Sequence, residues 1–152
     1  MLLSKTSEYA IRLVLCLSRH PRGEYIPIKI IADQSGISFF QLGKVAQRLI
    51  KAHILDSYTG PNGGVVLARQ PSEIRLYDIV SAIEGPDLFD RCVLGLEGCG
   101  EANHCPIHRY WKSIKEPIMT LFREKSLDDF PDLETGDILL ESEGLSPDSI
   151  RT

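Results

Sequence analysis

Two helical stripes joined through a glycine turn, a hairpin signal directly behind them and a long apolar seam toward the carboxy end predict a mainly α fold with one small β-hairpin. The expected architecture is a winged helix-turn-helix region over residues 1–70, a connecting helix over 71–91, a cysteine loop over 92–105, a long dimerisation helix over 106–130 and an acidic tail over 131–152.

The elements follow in order. Over residues 4–20, Ala10, Leu13, Val14 and Leu17 repeat at helical spacing, while Ile11 and Leu15 lie on another side with Glu8 beside them. A helix apolar on two sides is expected between two layers. Cys16, inside that apolar run, reads as a buried thiol. After the break at Pro21, Arg22, Gly23 and Glu24, residues 28–34 form a short helix that ends at Gly36, a left-handed cap. Ser38 and Gln41 have the spacing of a capping box, and Leu42, Val45, Ala46, Leu49 and Ile50 make the buried stripe of the next helix. Strands over 55–59 and 65–68 flank Gly60-Pro61-Asn62-Gly63-Gly64, in which Asn-Gly signals a hairpin. Ile74 and Leu76 lead into a helix with Leu76, Ile79, Val80 and Ile83 inward, stopped by Gly85-Pro86. Residues 86–104 lack periodicity and form a long loop.

From Pro106, suited to a first helical position, a helix runs toward Lys125 with Ile107, Trp111, Ile114, Ile118 and Leu121 in a coiled-coil-like seam and a kink expected at Pro117. The seam and the second side of the first helix point to a homodimer, with packing inside one chain as the alternative. Residues 126–130 suit a last turn, and the acidic stretch after Pro131 lacks a core-sized stripe and is expected to be mobile or loosely docked.

At 152 residues with 43% hydrophobic and 25% charged side chains, the chain has the size and balance of one globular domain. No secretory layout opens it, and no run approaches the roughly 18 apolar residues of a membrane span. A cytoplasmic protein with reduced thiols and no membrane partner is expected. No Ser/His/Asp set, paired acids or phosphate loop supports an enzyme. The net charge of −4 argues against a nucleic-acid partner only until it is split. Residues 1–70 hold nine Lys/Arg against four Asp/Glu, a net of +5, and residues 71–152 hold eight against seventeen, a net of −9. A basic half beside an acidic half is the pattern of an attached nucleic-acid-binding module.

The basic half carries the chemistry for double-stranded DNA. Opposite the buried stripe of the second helix lie Phe40, Lys44, Gln47 and Lys51, flanked by Gln41 and Arg48, with Ser38 at the helix start. Amides and cations suit base edges and phosphates, and an aromatic suits thymine methyls. Thr59, Gly60, Asn62 and Gly63 form a small hairpin tip able to approach a backbone or minor groove.

Cys92, Cys99 and Cys105 follow a C-x6-C-x5-C pattern, with His104 adjacent, His108 completing C-x-x-H, and Gly95, Gly98 and Gly100 letting the backbone curl. Three thiolates with one further donor suit zinc or an iron-sulfur cluster, [2Fe-2S] or [4Fe-4S]. Structural zinc sites commonly space paired ligands by roughly two to four residues. The wider spacing here favours iron-sulfur. His108 is the simplest fourth ligand by position, and Glu8 of the partner subunit is the second candidate. A zinc-stabilised winged helix, or a protein-interaction module without redox sensing, is the alternative.

With SKTSEYAIRLVLCL, IPIKIIADQSGISFFQLGKVAQRLIKAHIL, TGPNGGVVLARQPSEIRLYDIVSAIEG and the three cysteines in place, the chain resembles the IscR/NsrR family of bacterial regulators over about residues 2–130. The resemblance implies a homodimeric winged-helix transcription factor whose iron-sulfur cluster responds to oxygen, nitric oxide or iron. It implies Cys92, Cys99 and Cys105 as ligands, completed by His108 as in IscR-like members or by Glu8 as in members that recruit an acidic residue of the first helix. The chain departs from IscR in having six residues rather than five between the first two cysteines, Gly43 where IscR has an acidic residue that discriminates DNA sites, and Thr59 where its wing has an arginine. The expected mode of control is that a change in the cysteine loop shifts the dimer helix and the first helix, and with them the two reading helices.

Overall fold

The computed structural model describes residues 3–96 and 105–130. Its elements are α1 (Lys5–Ser18), α2 (Ile28–Ser35), α3 (Phe39–Lys51), β1 (Leu55–Tyr58), β2 (Gly64–Leu67), α4 (Leu76–Glu84) and α5 (His108–Glu124), with short 3-10 turns at Pro71–Glu73, Leu88–Asp90 and Leu127–Asp129. The mainly α fold with a single antiparallel hairpin is the predicted class.

Ser4 caps α1, its hydroxyl accepting the Ser7 N–H at 3.2 Å. Ala10, Leu13, Val14 and Leu17 are buried as their spacing requires, and α1 packs across α3, α4 and β2 as the central element. Leu15 is buried as well and Ile11 is half-buried, so much of the second apolar side is used within the chain. Cys16 is fully buried, and burial pushes its thiol above the ordinary cysteine value.

Gly36 closes α2 at φ 65°, the left-handed geometry that glycine adopts without cost. Ser38 starts α3, yet its hydroxyl makes no capping bond. Both Ser38 and Gln41 are exposed, so the first donors of the helix are left without a side-chain cap at a solvent-facing start. Leu42, Val45, Ala46 and Leu49 are buried and Ile50 half-buried.

The hairpin pairs Leu55 with Leu67 and Tyr58 with Gly64, one residue short of the predicted strand on the β1 side and shifted by one on the β2 side. The Gly63 N–H donates to Gly60 O at 2.9 Å, which puts Pro61 and Asn62 at the centre of the turn instead of Asn62 and Gly63. Proline, with its fixed φ, takes the first central position. A feature the sequence did not suggest widens the wing: Ile26 and Val65 exchange both backbone hydrogen bonds at 2.9 Å, adding a third short edge.

α4 carries its predicted inward face, Leu76, Ile79, Val80 and Ile83. The segment after it is more structured than the absence of periodicity suggests, because Phe89 in the Leu88–Asp90 turn is buried between Tyr77 and Phe122. α5 begins at His108, two residues after Pro106, whose preceding residue Cys105 accepts the His108 N–H at 3.0 Å in a turn. The helix runs on through Pro117 without interruption. No residue of α5 is buried in the protomer, and Ile107, Ile114 and Leu121 are exposed. The chain then returns to the body: Leu76 N–H donates to Lys125 O, Leu127 N–H donates to Ile74 O, each at 3.0 Å, and Leu127 is buried. The acidic tail lies outside the described residues.

Candidate nucleic-acid interface and cysteine loop

Phe40, Gln41, Lys44, Gln47, Arg48 and Lys51 are all exposed on α3, as the helical projection requires. α3 and the hairpin enclose a groove of about 680 Å³ in which Phe40, Lys44 and Gln47 face Tyr58, Thr59, Gly60 and Gly63. The reading face and the wing tip are therefore continuous. Asn62 is exposed at the tip. Lys44 Nζ lies 4.2 Å from the centroid of the Phe40 ring, a cation–π contact one turn along the helix.

Several polar residues of this surface were not singled out by the sequence. Lys5, Thr6 and Tyr9 of α1 line a second cleft with Gln41, Lys44, Arg48 and Lys51, and Lys29 of α2 joins the groove beside the wing. Lys5 and Lys29 were visible only as part of the +5 charge, because nothing in their spacing relates them to α3. Lys5 pairs with Glu8 at 2.7 Å, and that hydrogen bond raises its pKa.

The carboxy end of α4 joins three regions. Ile83 O accepts Arg48 Nη1 of α3 at 3.3 Å, and Glu84 O accepts Arg91 Nη2 at 2.7 Å. The Glu84 carboxylate accepts Ser7 Oγ at 2.6 Å and the Ser4 N–H at 3.0 Å, tying down the start of α1. Cations at a helix carboxy terminus also complement its dipole. Asp87 completes the set by holding Arg91 at 3.1 Å.

Burial pushes the Glu84 carboxyl up, but the hydrogen bonds from Ser7 and Ser4 with the nearby Arg91 charge outweigh it and leave its pKa below the ordinary 4.5. A carboxylate with a depressed folded value contributes stability above its unfolded value, and that contribution is lost as pH falls through the folded one. Glu84→Gln is therefore expected to lower stability in urea titrations at neutral pH, with the difference from wild type closing as pH drops from about 5 to about 3. A difference that persists unchanged at the acid end would show that packing, not charge, is responsible.

Arg91 precedes Cys92, which is 8% exposed. Trp111 Nε1, in the first turn of α5, donates to Arg91 O at 3.4 Å. The residues entering the cysteine loop thus lie against the helix start that follows Cys105, and Cys105 and His108 share that turn, both half-buried. Cys99 and His104 lie outside the described residues. Among the described residues no three His, Cys, Asp or Glu side chains converge as a metal site. Glu8 projects from α1 with its side chain engaged by Lys5. The donor types still fit a thiolate-bound metal centre: the residue before Cys92 touches Trp111 of the helix that follows Cys105, and Cys99 falls between the two cysteines in the sequence. No helix among the described residues is long and apolar enough to cross a membrane.

Comparison with known proteins agrees with this geometry. Residues 3–132 match the Rrf2 family, described as iron-dependent transcriptional regulators. The HTH-type transcriptional regulator IscR of Xenorhabdus nematophila is 30% identical over 129 residues, covering 85% of this chain and 78% of that protein. IscR of Yersinia pestis is 28% identical over 152 residues, covering all of this chain and 91% of its own length. Among solved structures, CymR, the global cysteine regulator of B. subtilis, superposes with a TM-score of 0.69 at 24% identity, over 84% of this chain and 93% of that one. T. potens IscR superposes with a TM-score of 0.66 at 24% identity, over 84% and 83%. The fold is that of these winged-helix regulators, and the chain belongs to the Rrf2 family of transcriptional regulators, a family without enzymatic activity.

Proposed function

We propose that the protein is a homodimeric cytoplasmic regulator that binds double-stranded operator DNA and senses redox state, nitric oxide or iron-sulfur supply through an iron-sulfur cluster. The observation that carries the reading is the exposed α3 face of amides and cations opening into the groove bounded by the wing. In this reading Ser38, Phe40, Gln41, Lys44, Gln47, Arg48 and Lys51 meet a major groove, and Thr59, Gly60, Asn62 and Gly63 meet the adjoining backbone or minor groove. Residues 1–70 read DNA, 71–91 connect, 92–105 hold the cluster and 106–130 dimerise.

Cys92, Cys99 and Cys105 would hold the cluster, with His108 or Glu8 as the fourth ligand. Bound there, the cluster supplies a centre whose ligation responds to oxygen, nitric oxide and iron. The chain's own residues supply the connection to DNA. Arg91, beside Cys92, and Arg48, on α3, are held by successive carbonyls at the end of α4. A displacement of the loop entrance is felt by the reading helix through two backbone acceptors. Dimerisation is supported by α5 and the residue that caps it, where Ile107, Ile114 and Leu121 recur every seven residues and all stand exposed in the protomer.

Protein purified without oxygen is expected to contain iron and sulfide, to absorb visible light and to select a duplex from a random pool. Lys44→Ala should weaken that binding and reduce its log–log salt slope by about 1, the share of one phosphate contact. Stoichiometric zinc without visible absorption would favour the zinc-stabilised winged helix, and failure to retain any duplex at low salt would favour a protein-interaction module.

A further inference from the structure

Phe40 is 67% exposed on the working face of α3, and its neighbour Phe39 is 60% exposed. Two large aromatics in water at a helix start leave apolar area uncovered that a ligand would cover. The Phe40 ring is not free to wander, because Lys44 Nζ sits 4.2 Å from its centroid and occupies one side. Its remaining surface points into the groove shared with the wing.

Gly43 lies one turn along from Phe40 and lines the same groove. A glycine inside a helix costs about 1 kcal/mol relative to alanine, so an interior glycine needs a reason. The described residues supply none, since a Cβ at Gly43 would meet no atom of theirs within 4 Å. The missing side chain therefore leaves a slot on the outer surface of the helix. Phe40, Gly43 and Gln47, at i, i+3 and i+7, form one strip of apolar ring, slot and amide.

Lys29 and Lys44 line the same groove and Lys51 follows Gln47 by one helical turn, a set of charges that selects a polyanion, and within a DNA major groove only thymine presents an apolar group, its C5-methyl. Resting on the DNA-binding reading above, we propose that Phe40 and the slot at Gly43 form a seat for a thymine methyl, making Phe40 a specificity-determining residue. Gln47 at the far end of the strip has the donor and acceptor pair that matches an adenine edge.

The test uses the full chain and a duplex that it selects from a random pool, resynthesised with each thymine replaced in turn by uracil, which lacks only the methyl. Wild type is expected to lose about four-fold in affinity at one or more thymines, the worth of one buried methyl group. Phe40→Ala, which truncates an exposed side chain and leaves the core intact, is expected to bind thymine and uracil duplexes equally, measured at a salt concentration low enough to retain binding. Uracil tolerated at every position by wild type overturns the proposal, as does an unchanged uracil penalty in Phe40→Ala. Recovery of no duplex at all fails the DNA-binding reading itself, and the proposal with it, whereas a uracil-tolerant duplex fails only the assignment of Phe40.

Discussion

Cys92→Ser and Cys105→Ser, each made in the full chain and purified without oxygen, are expected to lose iron affinity by more than about 100-fold and to lose visible absorption. An outer partner that merely orients a metal ligand costs roughly 10- to 100-fold when removed, and loss of a thiolate ligand exceeds that. Cys16→Ala is the internal control. Cys16 is fully buried on α1, and burial raises its thiol pKa, so its removal leaves a small core void and no missing ligand. The two effects are separable: Cys16→Ala should lower stability and keep its iron, while Cys105→Ser, at a half-buried position, should keep most of the apo protein's stability and lose its iron. Iron measured by absorption and by metal analysis checks both. Full iron retention in Cys92→Ser and Cys105→Ser would remove the cysteine loop from the metal site.

The helices of the reading head were legible because their signals are local. The α3 stripe needs only helical spacing, and the Gly36 cap needs only the residue type. Burial that depends on distant partners was not legible. Phe89 has no periodic neighbours, and its pocket is completed by Phe122, on a helix beyond the cysteine loop. Leu127 is held by a backbone bond to Ile74, far away in sequence. The same division applies to the sites. The exposed residues of α3 followed from one helix, whereas the adjoining Lys5, Thr6 and Lys29 come from two others and are related to it only by packing. The capping box illustrates the opposite error: Ser38 and Gln41 have the right spacing, but at an exposed helix start water competes for the same donors. The cysteines were recognisable as donors by type. That the residue before Cys92 touches the helix after Cys105 rests on the Trp111 bond to Arg91 O, which no spacing encodes.

Gly64→Ala is expected to destabilise the fold by about 3 kcal/mol, and Gly43→Ala to stabilise it by up to about 1 kcal/mol, measured as urea unfolding free energies. The two glycines look alike in the sequence and differ in what surrounds them. A Cβ on Gly64 would lie 2.3 Å from both the carbonyl carbon and oxygen of Ile26 and 2.7 Å from Pro27 N. Those are backbone atoms on a segment stiffened by proline, so they cannot yield as a side-chain tip would. Relief requires Ile26 to leave Val65, breaking both hydrogen bonds of that bridge and uncovering Ile26 and Val65, which are buried. The wing is anchored to the body partly through this contact, so its tip would lose its position relative to α3, and DNA affinity should fall even at temperatures where Gly64→Ala is still folded. At Gly43 the new methyl meets open space and only the helix propensity changes. A Gly64→Ala protein as stable as wild type would mean that the Ile26–Val65 bridge contributes nothing to holding the wing.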